Sequence, residues 1–236
     1  MPSTTARASL NMPPVKKVHS QVARSTGKIG RHQINRDKRI HLILTTATAM
    51  FREAGYDATR IEDIAQQAGV SPGTVYSYFE TKENILLSIL SLHRSGNVQR
   101  RLGIVESPPD DVVKALVDYE KTLLKDATEY LDIELWRRIT AAGIMATQSA
   151  VGRQSVHIDH YANQERLRIL NTLKERGVLA ADFPVEPITE LLRAASYHIW
   201  IRFLRGEFKT LAVAKEAIAG HVGFILGHLT QSKRRR

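Results

Sequence analysis

Length, composition and charge restrict this chain to a few classes of protein. It has 236 residues, of which 43% are hydrophobic and 25% are charged, a composition typical of a globular protein with one or two domains. The absence of cysteine excludes a disulfide scaffold and a thiolate metal site, and no apolar run reaches the roughly 18 residues of a membrane span. We therefore expect a soluble protein of the cytoplasm that has no membrane partner.

The positive charge is concentrated at the two ends of the chain. Of the net charge of +10, residues 1–39 carry +8 and residues 232–236 carry +4, which leaves −2 for residues 40–231. Residues 1–35 show no hydrophobic period and are predicted to form a disordered basic arm; residues 232–236 form a basic tail. A transit peptide would also fit this composition. Such arms bind polyanions, although they can also be simple solubilising termini.

Two predicted helices follow the arm. Apolar residues at helical spacing from Ile40 onward predict a first helix that ends at Gly55. Thr59 and Glu62 match a capping box, in which the threonine hydroxyl accepts from the Glu62 amide, and predict the start of a second helix. Gly69 stands where a left-handed residue would end that helix.

Residues after Gly69 predict a tight turn into another short helix. Ser71 is a favourable N-cap, and Pro72 suits the first helical position. Two short helices joined by a glycine turn and packed on a longer one are typical of a helix-turn-helix unit, whose second helix enters the DNA major groove. An ordinary helical hairpin is the alternative that the pattern leaves open.

An aromatic cluster and a lysine follow within this segment. Tyr76, Tyr78 and Phe79 cannot all face one core from so short a helix, so we expect at least one tyrosine to project outward, where its hydroxyl could bond a phosphate. The alternative is that both tyrosines cover the rim of the core. Thr81 predicts the cap of a fourth helix with Lys82 at its first position. A cation there opposes the helix dipole, so a DNA phosphate is the expected compensation unless the lysine is merely exposed.

Residues 56–86, YDATRIEDIAQQAGVSPGTVYSYFETKENIL, resemble the DNA-binding segment of TetR-family transcriptional regulators. The likeness lies in the threonine cap, the Ile-Ala and Ala-Gly-Val-Ser steps, the Gly-Thr-x-Tyr-x-x-Phe run and the Lys-Glu pair after it. It implies a helix-turn-helix domain at 36–82 and a helical effector-binding and dimerisation domain at 83–231. It also implies a major-groove face formed by Ser71, Pro72, Gly73, Thr74 and Tyr76. The candidates for contact with the DNA backbone are Thr59, Arg60, Tyr78 and Lys82.

The segment departs from the family pattern in its charge. Residues 71–79 contain no basic side chain, and residues 40–82 carry a net charge of −2. Base recognition would then depend on Thr74 and on aromatic or methyl contacts instead of arginine. We expect the arm to supply the missing charge, together with Arg36, Lys38 and Arg39 just before the first helix, which are candidates for phosphate or minor-groove contacts.

The larger C-terminal part is predicted to be helical throughout. Helices are expected near residues 110–126, 129–147, 156–176, 187–205 and 211–230, and no strand pattern occurs, so the predicted fold is all-α. Large or amphipathic side chains in the middle helices are candidates to line an effector pocket, although aromatic residues at this spacing are more often core. These candidates are Tyr119, Trp136, Met145 and Tyr161.

The last two helices are predicted to form a dimer interface. Their apolar stripes and a row of glycines would permit the close approach of a four-helix dimer bundle, with an intramolecular hairpin as the alternative. The interface candidates are Leu191, Ala195, Ile199, Ile218, Gly220, Gly223 and Gly227. His157, Asp159 and His160 allow a metal site, but no further ligands are placed beside them, and we expect no metal and no cofactor.

These features predict a dimeric, ligand-responsive transcriptional regulator. The favoured form is a repressor that binds a pseudo-palindromic operator and is released by a small apolar or amphipathic effector. A DNA-binding protein that uses its basic tails without sequence preference is an alternative. A helical small-molecule enzyme is less favoured, because no catalytic triad, phosphate loop or carboxylate pair stands out.

Overall fold

The part of the chain that the structure describes is helical throughout. The computed structural model describes residues 31–231, with side chains at every position in that range except 31–33, 93–100, 130 and 228–231. No strand occurs in this range, which confirms the all-α prediction. The basic residues of 1–30 and 232–236 lie outside the described residues. The helices are α1 Arg31–Ala54, α2 Ile61–Gln67, α3 Pro72–Phe79, α4 Lys82–Glu106, α5 Val112–Tyr130, α6 Ile133–Met145, α7 Ala150–Glu175, α8 Val185–Leu204 and α9 Leu211–Gln231.

The chain divides after Arg39 into two units. Of the first unit the structure describes residues 31–39, which are helical, and the side chains from Ile34 to Arg39 are exposed. Helix α1 thus begins at Arg31, so residues 31–35, which were predicted to belong to the disordered arm, are helical. The packing described below lies within the second unit, from Ile40 onward.

Two glycines end the first two helices by adopting left-handed backbone conformations. Gly55 follows α1 with φ of +86°, and Gly69 follows α2 with φ of +65°. A side chain is strained in this region of φ, so glycine is the residue that suits both turns. The two helix ends therefore lie where the sequence predicts them.

The predicted capping box at Thr59 is wrong. Arg60, which makes no side-chain cap, is the N-cap of α2, whereas Thr59 is buried and donates its hydroxyl to the carbonyl of Gly55 at 2.8 Å. A buried hydroxyl requires a hydrogen-bond partner, and Thr59 finds one in the carbonyl of the loop before α2. Its hydroxyl therefore does not cap the helix. Because Thr59 is buried, it is not a contact for the DNA backbone.

Two hydrophobic clusters organise the second unit. The first contains the inner faces of α1, α2 and α3 and the start of α4, and it also takes in Leu135 and Ile139 of α6. The second joins α5, α7, α8 and α9. Helix α6 therefore belongs to the core beneath the helix-turn-helix unit, although it lies far along the chain from that unit.

Helices α6 and α7 cross with their backbones in contact. A Cβ atom added to Gly152 would lie 2.1 Å from the carbonyl oxygen of Ala146, and one added to Gly143 would lie 2.5 Å from the Ser155 hydroxyl. No side chain fits at Gly152 without moving the backbone. The C-terminal end of α6 is thereby held tightly against the first turns of α7.

Two of the predicted interface residues face the core of the single chain. Ile199 of α8 and Ile218 of α9 are buried in the second cluster, against helices of the same subunit. Their assignment to a dimer interface is therefore wrong. Both helices do carry an apolar stripe, but a stripe does not show whether the same subunit or a second subunit covers it.

Candidate DNA-binding surface and effector cavity

Helix α3 is anchored by two apolar residues and exposes the rest of its surface. Val75 and Phe79 are buried beneath it, while the Ser71 hydroxyl accepts from the Thr74 amide at 3.2 Å and caps its first turn. Pro72 occupies the first helical position, as predicted. A short helix held in this way offers its outer side to a partner without exposing its core.

The exposed surface of α3 consists of its first turn and one tyrosine. Ser71, Pro72 and Gly73 are exposed, and Tyr76 is 43% exposed, which confirms that a tyrosine projects outward. Thr74 is half-buried, with its hydroxyl 2.9 Å from that of Ser71. The five residues expected on the major-groove face are therefore accessible to different degrees.

The exposed tyrosine is bonded to an acid on the neighbouring helix. The Tyr76 hydroxyl donates to Glu62 Oε1 at 2.9 Å, and Arg60 Nε lies 3.6 Å from the same carboxylate. A hydrogen bond from its own backbone amide, followed by the bond from Tyr76, lowers the pKa of Glu62, and the same bond to Glu62 raises the pKa of Tyr76. The carboxylate therefore stays ionised, and a negative charge lies beside the exposed ring.

Tyr78 and Arg60 flank this surface. Tyr78 is half-buried, with its ring centroid 6.4 Å from that of Phe79 and the two planes nearly perpendicular. The Arg60 side chain is 74% exposed. Of these two candidates for backbone contact, Arg60 is the more exposed residue.

Lys82 bonds to the protein's own backbone instead of presenting its ammonium group to DNA. Thr81 caps α4, as predicted, and Lys82 is its first residue. The ammonium group donates to the carbonyls of Tyr56, Asp57 and Thr59 at 2.7, 3.3 and 2.9 Å. An ammonium group has three donors, and all three are used. The compensation that a cation at a helix N-terminus requires comes from these carbonyls, so a DNA phosphate is not needed for it.

A second cation reaches the same loop from α6. Arg138 forms an ion pair with Asp57 and places its guanidinium carbon 4.8 Å from the centroid of the Tyr56 ring. The Lys82 ammonium lies 4.5 Å from the same ring. This contact between Tyr56 and Arg138, which the sequence did not predict, ties the α1–α2 loop to α6.

A cavity of ≈ 140 Å³ lies among α5, α6, α7, α8 and α9. Of the four predicted pocket residues, Trp136 lines it. Its walls are mainly apolar and aromatic, with a few polar and charged groups. The lining residues are Glu120, Leu123, Leu124, Ala127, Trp136, Thr140, Ser155, Ile158, Asp159, Ala162, Arg166, Arg193, Ser196, Tyr197, Ile199, Trp200 and Ile218.

The other three predicted pocket residues lie elsewhere. Tyr119 is fully buried behind the wall, where its hydroxyl donates to Glu165 at 2.9 Å and burial raises its pKa well above the ordinary value. Met145 is 87% exposed because it is the last residue of α6. Tyr161 is half-buried and does not line the cavity. None of the three lines this cavity, because residue type does not determine direction around a helix.

Two pairs of opposite charges lie in the cavity wall. Arg166 and Glu120 are buried and joined by two hydrogen bonds, of 2.6 and 3.1 Å. Burial opposes the charge on Arg166, but the adjacent carboxylate outweighs it and raises the pKa of the guanidinium overall. Nearer the surface, Arg193 bonds to Asp159 at 2.9 Å. Asp159 is thus paired with an arginine instead of joining His157 and His160 around a metal, and the described residues contain no cluster of three metal-binding side chains.

Behind the cavity, a buried ionic group joins α4 to α5 and α7. Arg101 of α4 donates to Asp126 at 2.7 Å and to Glu165 at 3.0 Å. Breaking a buried ion pair by removing one partner is strongly destabilising, because it leaves an uncompensated charge. Arg101 therefore fixes the far end of the helix that begins at Lys82.

The outer side of α8 and α9 remains largely apolar. Leu191 is 54% exposed and Phe224 is 73% exposed, while Ala195 is half-buried. The glycine row lies on α9, where Gly220 is exposed and Gly223 and Gly227 are half-buried. A Cβ atom at any of these three glycines would meet nothing within 4 Å. The glycines are therefore not required by packing within the subunit.

In the part of the chain that the structure describes, no helix combines the length and the apolar character needed to cross a membrane.

Comparison with known proteins agrees with the geometry of α1–α4. Residues 43–89 match the family profile of bacterial regulatory proteins, tetR family. The uncharacterized HTH-type transcriptional regulator YfiR from Bacillus subtilis is 30% identical over 112 residues, which are 44% of this chain and 54% of that protein. The chain thus spans about half the length of this relative, and less of several others.

Solved structures share the fold over most of the chain. Salmonella enterica GusR is 22% identical and has a TM-score of 0.59, with 86% of this chain and 99% of that chain covered. A Saccharomonospora viridis protein solved in complex with choline is 20% identical and has a TM-score of 0.62, with 81% of this chain and 97% of that chain covered. At these identities the likeness establishes the fold alone.

Proposed function

The chain belongs to the TetR family of transcriptional regulators, and we propose that it is a dimeric repressor that leaves its operator when a small molecule binds. The proteins it resembles are regulators, not enzymes. We further propose that it acts in the cytoplasm on a pseudo-palindromic operator. The observation that carries the proposal is the exposed outer side of α3 above the buried Val75 and Phe79.

The first turn of α3 is the proposed base-contacting element. Ser71, Pro72, Gly73 and Thr74 present hydroxyl, methylene and backbone groups, and Tyr76 adds an aromatic ring. Without an arginine, such a surface favours contacts with thymine methyl groups and single hydrogen bonds over the bidentate recognition of guanine. Its specificity would come from shape and methyl contacts.

Contacts with the DNA backbone are proposed for residues around the first turn of α3. The exposed Arg60 and the half-buried Tyr78 flank the surface, and Arg36, Lys38 and Arg39 are exposed. The core segment 40–82 is acidic overall, so these contacts would supply most of the counterion release that drives binding. The strength of binding should then depend steeply on salt.

Dimerisation is proposed through the outer side of α8 and α9. Leu191, Ala195, Gly220, Gly223 and Gly227 remain from the predicted set once Ile199 and Ile218 are assigned to the core. Phe224 joins them as the most exposed aromatic residue of this face. A two-fold dimer would hold two α3 helices about 34 Å apart, one turn of duplex, and would match a palindrome.

Helix α6 is the proposed link between effector and operator. Trp136 and Thr140 of this helix line the cavity, whereas Arg138 holds the α1–α2 loop. A ligand that displaces Trp136 therefore acts on the helix that supports the helix-turn-helix unit. A preference of about 2.7 kcal/mol for the non-binding arrangement would weaken operator affinity 100-fold, within the usual range of allosteric coupling.

Selection of bound duplexes from a random pool by the full-length protein tests this function. We expect a recovered palindrome with half-sites about one helical turn apart. Equal affinity for random and selected duplexes would instead support a DNA-binding protein without sequence preference. A double variant, Thr74→Ala with Tyr76→Ala, should lose the selected site and keep nonspecific binding.

A further inference from the structure

We infer that the effector is an uncharged, largely apolar molecule that carries a hydrogen-bond acceptor, such as a ketone or ester carbonyl. This chemistry deepens the proposed function and rests on it, because it concerns the same cavity. Three features of the walls point to such a ligand: compensated charges, one buried donor without an acceptor, and two indole rings.

The charged side chains at the cavity already neutralise one another. Glu120 is paired with Arg166, and Asp159 is paired with Arg193, so the formal charges of the wall sum to zero. Moving an ion from water into such a site is costly unless it finds an opposite charge. An ionic ligand would have to break one of these pairs, whereas a neutral ligand leaves both intact.

One buried donor at the cavity has no acceptor. Arg166 uses Nε and Nη2 to bind Glu120, but its Nη1 has no hydrogen-bond partner among the described residues. A guanidinium has five N–H donors, and leaving buried ones unbonded is costly. Arg166 lines the cavity, so a carbonyl oxygen that reaches its Nη1 through the wall would supply the acceptor without adding a charge, whereas an ammonium group cannot supply it.

The two tryptophans offer their apolar faces to the ligand. Trp136 and Trp200 both line the cavity, with ring centroids 5.3 Å apart and planes at 87°. Their indole N–H groups are used within the protein, by the carbonyl of Ala127 and by the Thr140 hydroxyl. What remains is flat apolar surface that suits a hydrocarbon body.

The same tryptophans make the cavity directly observable. The whole chain contains two tryptophans, so its intrinsic tryptophan emission comes entirely from the wall of this cavity. Ligands that do not absorb near 280 nm can therefore be titrated without a label. The Trp136→Phe and Trp200→Phe variants show which indole responds.

The test compares four cyclohexane derivatives of similar size on the full-length protein. They are cyclohexyl methyl ketone, isopropylcyclohexane, cyclohexanecarboxylate and cyclohexyltrimethylammonium. We expect the ketone to bind at least about tenfold more tightly than either ion and several-fold more tightly than the hydrocarbon, which has no acceptor. The double variant Glu120→Leu with Arg166→Met removes both charges of the pair together, so neither is left buried without its partner. In this variant the ketone should lose its advantage over the hydrocarbon.

Several outcomes would overturn the inference. They are tightest binding by the ammonium or the carboxylate, equal binding of ketone and hydrocarbon, or no saturable change with any of the four.

Operator binding measured in parallel separates this inference from the proposed function. Ketone binding without operator release would contradict the effector role of the cavity and leave its ligand chemistry intact. Selection of a palindrome by a protein that prefers the ammonium would contradict the ligand chemistry alone.

Discussion

Replacing Lys82 by methionine removes the ammonium group that holds three carbonyls of the α1–α2 loop and keeps most of the apolar side-chain volume. Two of the three hydrogen bonds, to Tyr56 and Thr59, are short and partly buried, and the third, to Asp57, is longer and exposed. If each of the two shorter bonds contributes about 1.5 kcal/mol, their loss costs about 3 kcal/mol. Relief of the unfavourable interaction with the helix dipole returns about 0.5 kcal/mol.

We therefore expect Lys82→Met to lower the free energy of unfolding by about 2–3 kcal/mol. For a chain of this length that corresponds to a fall in Tm of about 5–10 °C, measured by calorimetry or circular dichroism. Operator affinity is then measured over a range of salt concentrations, at a temperature where both proteins are folded. Because the Lys82 ammonium is already bonded to these carbonyls, we expect the slope of log K against log salt not to change.

Arg60→Met is the matched control, since it removes a cation from the same surface. The Arg60 side chain is 74% exposed, and its ion pair with Glu62 is also exposed, so its loss should change Tm very little. If Arg60 contacts a phosphate, the salt slope should fall by about 0.9 per contact. An unchanged Tm together with a reduced slope for Lys82→Met would refute the structural role of this lysine.

Three further predictions concern the DNA-binding surface, the dimer interface and the basic arm. Glu62→Gln removes a negative charge beside α3 and should strengthen operator binding about two- to threefold in a fluorescence anisotropy titration. Coulomb's law gives about 0.5 kcal/mol for the repulsion between this carboxylate and a DNA phosphate about 8 Å away in water. Weaker binding by the variant would mean that the ionised acid is needed. Phe224→Glu should raise the dimer dissociation constant at least about 30-fold in sedimentation equilibrium. The control is Met145→Glu, which changes another highly exposed apolar residue away from the proposed interface and should leave the constant unchanged. Equal effects of the two variants would argue against α9 as the interface. Deleting residues 1–35 should weaken operator binding and flatten its salt dependence, and an unchanged affinity and slope would exclude a contribution from the arm.

The features that could be predicted from the sequence are those decided by residues three or four positions apart. Gly69 ends α2, Ser71 caps α3 and Thr81 caps α4, as expected, because the groups that satisfy these helix ends are adjacent in the chain. The all-α fold followed from helical periodicity in the same way.

The features that could not be predicted depend on distant partners. Lys82 bonds to carbonyls 23 to 26 residues earlier, and Arg138 pairs with Asp57 across 81 residues, so no local pattern contains either contact. Ile199 was assigned to the dimer interface and Tyr119 to the cavity from residue type and spacing. Spacing identifies the face of a helix, but only packing determines what that face contacts.

The contact between Gly152 and Ala146 has a mechanical consequence for α6. Because the backbones meet there, we expect any tilt of α6 to turn about that end, while Trp136 and Arg138 lie toward the other end of the helix. At a rise of 1.5 Å per residue, Arg138 lies about 12 Å from this fixed point, so a tilt of about 5° would carry it about 1 Å. A ligand that moved the indole would then shift the guanidinium by a distance comparable to the tolerance of an ion pair.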